Sequence, residues 1–347
     1  MSFVITVHKS FSPLLSEQIL QWGKEVGGFH FFQSPFFFRL AEASPCFSPL
    51  MLLVFDEDEV PVASLLAVKV RERGGLRAWF SERTVVYGGP VFYRETEKEA
   101  VLDSLLDEVN RIAGKGTVFT QFRNFHDMRE WKDVYGAKNY RLRDRLNLLL
   151  DTSDETRVWQ GMSGSRRRQI RKSLENGVQI REAAGMNEVD ELYDNLRLLY
   201  RYKVKKPLPG RDFFRNFYRL IHPSSWGKVF VVTWEGRIIG GIFCPVTPGK
   251  TVYELYVCGQ DEIYQQQGIY PSVMATWAAI DYAIKNNIPQ FDFMGVGIPD
   301  KPYGVRDFKM RFGGEIVNNG RFTRINNPFL YQVAEAGYNL LGALNKV

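Results

Sequence analysis

Two spacings of apolar residues alternate along this chain, and the switches between them mark out its elements. Near the middle of the second half, Tyr253, Leu255 and Val257 alternate with Glu254, Tyr256 and Cys258, the period of two of a strand with unlike faces. From Pro271 the period lengthens to 3.6. Val273, Trp277, Ile280 and Ile284 fall on one side, which predicts an amphipathic helix with proline at its first position. Residues 291–294 form a short apolar run ended by Gly295 and interrupted by Asp292. This reads as a buried strand with a carboxylate inside it, which is costly unless the charge is paired or put to use.

The same reading predicts a repeat. In the first half it gives helices over 14–26 and 34–43, strands over 50–55 and 60–70, and a third strand ending at Tyr87 before Gly88-Gly89-Pro90. A helix follows over 97–113, with Leu102, Leu105, Leu106, Val109 and Ile112 on its apolar face. A strand over 117–122, a short helix over 127–134 and a strand over 141–150 complete this half. The second half gives helices over 189–202 and 211–221, then strands over 229–234, 238–246 and 252–258. The long helix from Pro271, the strand at Phe291, a short helix at Arg306 and a last strand over 315–323 follow. Both halves therefore run helix, helix, three strands, helix, strand, helix, strand. The expectation is an α/β (α+β) chain holding two copies of one domain, each a mixed twisted sheet flanked by helices. The boundaries read as 1–150 and 182–347, with a basic linker helix over 151–181. Ser163 or Ser165 is placed to cap that helix, and Gly177 to stop it.

Composition narrows the class of protein. A chain of 347 residues with 45% hydrophobic and 24% charged residues has the proportions of a soluble globular protein with room for two cores. Cys46, Cys244 and Cys258 have neither metal-ligand spacing nor even pairing, which points to the reducing cytoplasm. The opening MSFVITVHKSF lacks the order of a signal peptide, and no run of 18 apolar residues offers a membrane span. The net charge is +6, but residues 155–181 hold seven basic residues against two acidic ones, a local surplus of +5. A concentrated stripe of this kind attracts phosphate. Within it Arg168, Arg171 and Lys172 are three and four residues apart, so they share a face. That face is either simply solvated or a phosphate clamp, for which guanidinium forks are well shaped.

Two motifs carry a family resemblance. The succession FDFMG, YGVRDFK and RFGGE, together with the R-R-x-I-R-K-x-x-x-x-G pattern of the basic segment, resembles the Fem-type (FemAB-like) aminoacyltransferases, a branch of the GNAT acyltransferase superfamily. The resemblance implies two tandem GNAT-like domains and transfer of an aminoacyl or acyl group to an amine of a cell-envelope, peptidoglycan-type precursor. Lys309 matches the lysine of the family's F-K-x-x-F-G-G motif, which implies a role in charge stabilisation. The N-terminal copy has EWKDVYGA in place of that motif. The second copy is therefore expected to be catalytic, and the first to shape an acceptor groove with Tyr87 and Arg123. The loop that grips the pyrophosphate of coenzyme A in ordinary GNAT enzymes reads R/Q-x-x-G-x-G/A. Here Gln265-Gln266-Gln267-Gly268-Ile269-Tyr270 sets a tyrosine where a small residue is needed for close backbone approach.

Acyl transfer to an amine needs a cleft that aligns the two reactants, a proton acceptor, and positive charge where the oxyanion forms. In the GNAT arrangement strands 252–258 and 291–294 diverge to leave such a cleft, and the helix between them presents N-terminal amides to an anion. Lys309 is expected at the oxyanion, or else is an exposed helix lysine. Glu254, Tyr256 and Asp292 are candidates to take the amine proton; alternatively a carboxylate pairs with an arginine to brace the sheet. Tyr303 and Arg306 are expected to line the acceptor site, and Phe308 and Phe312 to face the core. The four histidines form no catalytic group and no serine sits in a nucleophile elbow, so no covalent mechanism is indicated. No metal and no resident cofactor are expected. The donor is either aminoacyl-tRNA or acyl-CoA, and the partners are phosphate-bearing substrates, tRNA and, by peripheral contact, a membrane-bound precursor. Two rival readings stand beside this one: an enzyme using acyl-CoA or an acyl carrier, and a non-catalytic protein that holds nucleic acid on its basic stripe.

Overall fold

The computed structural model describes residues 3–336 apart from 25, 73–80, 96, 115 and 334, so part of the helix expected over 14–26 lies outside the described residues. The chain divides into two compact units. One holds the residues up to Asp144 together with those from Asn319 on; the other is the continuous stretch Arg145–Asn318.

The first unit contains β1 (Val4–His8), α1 (Pro13–Lys24), α2 (Pro35–Glu42), β2 (Phe47–Phe55), β3 (Pro61–Val70) and β4 (Arg83–Tyr87). It continues with β5 (Val91–Phe92), α3 (Lys98–Ala113), β6 (Phe119–Arg123), α4 (Lys132–Ala137) and β7 (Arg141–Arg143). Local chemistry explains the helices. Ser34 accepts the Phe37 amide ahead of Pro35 at the start of α2, as a capping residue should. α3 buries Leu102, Leu105, Leu106 and Val109, the face read from its period. These side chains join Leu52, Val86, Phe122 and Tyr135 in one core.

The second unit begins with β8 (Leu146–Asp151), α5 (Glu155–Gly161), α6 (Gly164–Glu175), β9 (Gln179–Glu182), α7 (Met186–Leu199) and α8 (Arg211–Leu220). β10 (Gly227–Trp234), β11 (Arg237–Thr247), β12 (Thr251–Tyr253), β13 (Tyr256–Gly259), α9 (Asp261–Tyr264) and α10 (Pro271–Lys285) follow. β14 (Gln290–Gly295), α11 (Gly304–Met310) and β15 (Glu315–Asn318) close it, and β16 (Arg321–Ile325) belongs to the first unit. Ser163 is the residue that caps α6, by accepting the Arg166 amide. Ile170 of α6, Val232, Ile242, Ile280, Phe291 and Phe312 share the second core.

The repeat is visible in the sheets. The first runs β1-β2-β3-β4-β6-β16-β7 and the second β9-β10-β11-β12-β14-β8-β15. Each is antiparallel except at one pair, β4 with β6 and β12 with β14, and a helix (α3 or α10) crosses over between those partners. The strand second from one edge is β16 in the first sheet, from the far end of the chain, and β8 in the second, the first strand of its own unit.

The places of β8 and β16 correct the predicted boundaries. The strand expected over 141–150 divides at Asp144, with β7 in one sheet and β8 in the other. The strand expected over 315–323 divides likewise, after β15, at a turn where Gly320 has φ +66°. The segment 151–181 is part of the second unit rather than a separate linker: β9 pairs with β10, and Val158, Met162 and Ile170 lie in the core. The apolar runs were legible, but an apolar run carries no label for the sheet it joins. Among the described residues no helix is long and apolar enough to cross a membrane.

Candidate active site

The second sheet opens at one point. β12 and β14 pair in parallel as far as Tyr253 and Asp292, and the Glu254 amide donates to the Asp292 carbonyl at 2.9 Å. Beyond that the strands part. β13 pairs instead with β11, Tyr256 opposite Phe243, while β14 bulges between Asp292 and Gly295, with Met294 at φ +61°. A non-glycine residue in that region stores strain of the kind found at functional sites. The divergence expected from the sequence is present, but the strand predicted over 252–258 is broken after Tyr253.

Three ionisable side chains meet at this notch. Lys309 of α11 is 7% exposed, and Glu254 and Asp292 are each 3% exposed. The Lys309 ammonium donates to the carbonyl of Phe293 and lies 3.0 Å from Glu254 Oε1. It is not the exposed helix lysine of the alternative reading, and the partner of the buried carboxylate is a lysine rather than an arginine. Glu254 Oε2 accepts from the Thr276 hydroxyl of α10 at 3.0 Å. Its Oε1, although close to the ammonium, has no partner in hydrogen-bonding geometry. The contact is therefore one of charge, and that oxygen keeps acceptor capacity. Asp292 Oδ1 accepts the Met294 amide at 2.6 Å. Burial pushes the Asp292 carboxyl up to about 7; Glu254 acts in the same direction, while the Met294 amide, Lys309 and Asn147 oppose it. A carboxyl poised there can exchange a proton near neutral pH.

The other predicted residues are placed as follows. Tyr256 stands in an aromatic group with Tyr200 and Phe214, its ring 6.1 Å and 5.1 Å from theirs. Tyr303 precedes α11 and carries the Lys206 ammonium 5.8 Å above its ring. Arg306 donates to the carbonyls of Val296 and Ile298, so it ties down the loop after β14 rather than presenting a free fork. Phe308 and Phe312 pack on the core as expected. Arg168, Arg171 and Lys172 line a depression of about 450 Å³ with Arg167 and Glu175. Arg167 is itself held by the carbonyls of Trp159, Gln160 and Met162. In the first unit Tyr87 and Arg123 are register partners on β4 and β6, with the guanidinium 5.1 Å over the ring and a 3.0 Å bond to its hydroxyl.

One expectation is overturned. Two amides at the start of α10, where an anion was expected, are already occupied. Ser173 Oγ accepts from the Tyr270 amide at 3.0 Å, and the Asp261 carboxylate accepts from the Ser272 amide at 3.3 Å and from its hydroxyl. The Lys172 stem lies over Gly268, where a Cβ would come within 2.2 Å of its Cε. The protein's own carboxylate thus stands where a phosphate would.

Sequence reasoning missed Thr276, Asn147, Asp261 and Arg166. Only Arg166 left a signal: with Ile170 and Ser173 it makes the buried side of α6, an arginine in apolar register. Burial raises both Cys244 and Cys258, which keeps them as thiols. Among the described residues no cluster is arranged to hold a metal ion.

The second unit, with its notch between parting strands, has the fold of a GNAT domain. Residues 163–310 match the acetyltransferase (GNAT) domain family. The chain as a whole has the Fem-like tandem-GNAT fold: it is similar to FemX at 12% identity and TM-score 0.69, over 96% of this chain and 99% of that one. It is similar also to a tandem GNAT protein from the clavulanic acid biosynthesis pathway, at 9% identity and TM-score 0.60 over 94% and 99% of the two chains. L-PGS from Bacillus licheniformis shares 15% identity at TM-score 0.54, over 95% and 97%. No curated protein matches the sequence.

Proposed function

We propose that the chain is a Fem-like N-acyltransferase, acting in the cytoplasm, that moves an aminoacyl or acyl group from an activated donor to an amine of a cell-envelope precursor. The observation that carries this reading is the buried meeting of Lys309, Glu254 and Asp292 where β12 and β14 part. In this reading Asp292, held near neutrality, takes the proton of the attacking amine. The Lys309 ammonium balances the charge developing on the carbonyl oxygen. Glu254, 3.0 Å away, keeps that ammonium aimed. The amine nitrogen bonds to the acyl carbon, the donor's ester or thioester bond breaks, and its oxygen or sulfur leaves with the electron pair.

The occupied start of α10 favours a donor other than acyl-CoA. The depression lined by Arg168, Arg171 and Lys172 suits a polyanionic donor such as aminoacyl-tRNA. Tyr256, Tyr303 and Arg306 are proposed to shape the acceptor side through the aromatic group and the loop after β14, and Tyr87 and Arg123 to shape the groove of the first unit.

The test is mass spectrometry of a transfer reaction that offers tRNA-borne and CoA-borne donors against amine-bearing envelope precursors. An acyl mass added to the precursor from the tRNA-borne donor is expected, and Lys309→Ala should slow its appearance by roughly 10²-fold or more. Turnover of the CoA-borne donor alone would reverse the donor assignment. Binding of RNA with no transfer from any donor, unchanged in Lys309→Ala, would leave the binding-protein reading in its place.

A further inference from the structure

We infer that Arg166 is a positioning residue: it fixes the end of the helix that carries Lys309, and through it the place of the ammonium in the notch. The inference rests on the role given to Lys309 above.

Arg166 is 2% exposed, while Arg168, Arg171 and Lys172 on the same helix face solvent. Its guanidinium packs against two rings of α11 and the turn after it, 4.4 Å from the centre of Phe308 and 4.3 Å from that of Phe312. One terminal nitrogen donates to the Phe308 carbonyl at 2.7 Å and the other to Gln169 Oε1 at 2.8 Å. Nε is buried with no partner. A buried place beside two phenyl rings is filled at less cost by an apolar chain of the same length, which desolvates no cation and strands no donor. Packing alone therefore does not account for a guanidinium here.

The helix end does. α11 has seven residues, and its last carbonyls have no partner within the helix. Phe312 and Gly313 amides serve Lys309 and Met310, the Ser163 amide serves Arg311, and Arg166 serves Phe308. Phe308 directly precedes Lys309, so loss of that bond frees the turn from which the ammonium reaches Phe293 and Glu254.

The experiment needs no knowledge of the substrate. The full chain is pulsed with acetic anhydride, and acetylation of Lys309 is measured by peptide mass spectrometry relative to exposed Lys301. Arg166→Met should remain folded yet raise the Lys309/Lys301 ratio by roughly fivefold or more, the opening expected when one charge-assisted bond is lost. Arg166→Lys keeps the charge but not the fork, and should fall between Met and wild type; it decides the question if the Met variant does not fold. Val158→Ala, a core change in α5, should lower the melting temperature without moving the ratio. An unchanged ratio in folded Arg166 variants, or an equal rise in Val158→Ala, overturns the inference. A shifted ratio with no transfer from any donor would sink the proposed reaction and leave the positioning role standing.

Discussion

At the scale of single residues, the notch sets structural and catalytic roles against each other, and two measurements separate them. Removing Lys309 leaves the Glu254 carboxylate buried without its counter-charge, so Lys309→Met should cost roughly 3–5 kcal/mol in urea unfolding. Adding Glu254→Gln should recover most of that loss, because no charge then remains stranded. Transfer should stay down by roughly 10²-fold in the double variant, since the cation proposed for the oxyanion is still missing; recovery of transfer with stability would make the pair a brace and nothing more. Asp292 is tested by pH. Its folded pKa, about 7, lies above the value near 3.9 of an unfolded aspartate, so between those limits the folded state holds more protons. Stability from this group is thus fully present below about pH 4 and is lost as pH rises through about 7. Wild type should lose melting temperature across that window while Asp292→Asn stays flatter. Transfer should rise with pH through the same midpoint and fall by roughly 10²–10⁴-fold in Asp292→Asn.

At the scale of elements, α10 lies so close to β13 that glycine is obligatory beneath its first turn. A Cβ at Gly259 would stand 2.2 Å from the Ser272 nitrogen and 2.7 Å from the Pro271 carbonyl carbon. Gly259→Ala should therefore lower stability by roughly 1–3 kcal/mol, the cost of overpacking, read as a lower urea midpoint with unchanged slope. It should also disturb Thr276 further along the same helix. The elements themselves were largely written in the sequence. The 3.6 period of α10, the capped start of α6 and the charge inside β14 led to the right helices and to Asp292. The F-K-x-x-F-G-G resemblance led to Lys309. What remained illegible was tertiary. The break after Tyr253 arises because β13 leaves β14 for β11, and the anion site at α10 is closed by Ser173 and Asp261, which approach from other elements. Neither event has a local period. β1 and β9 were missed because edge strands with few buried side chains show little alternation.

At the scale of the whole molecule, two sheets with one strand order confirm the repeat, and the late return of β16 makes the halves unequal. All strands of the second sheet lie within Arg145–Asn318, whereas the first sheet needs β16 between β6 and β7. The fragment 145–318 should therefore unfold cooperatively on its own in urea. The fragment 1–144 should not, lacking the strand that satisfies both neighbours. Cooperative unfolding of 1–144 alone would show that β16 is dispensable to its unit. The same arrangement dictates a sequence of events at the ribosome. The leading half emerges first but waits for residues 321–325 to be synthesised, so the trailing half is complete in the nascent chain before the leading one closes. Until then two unsatisfied sheet margins stay open to whatever else in the cell offers a strand.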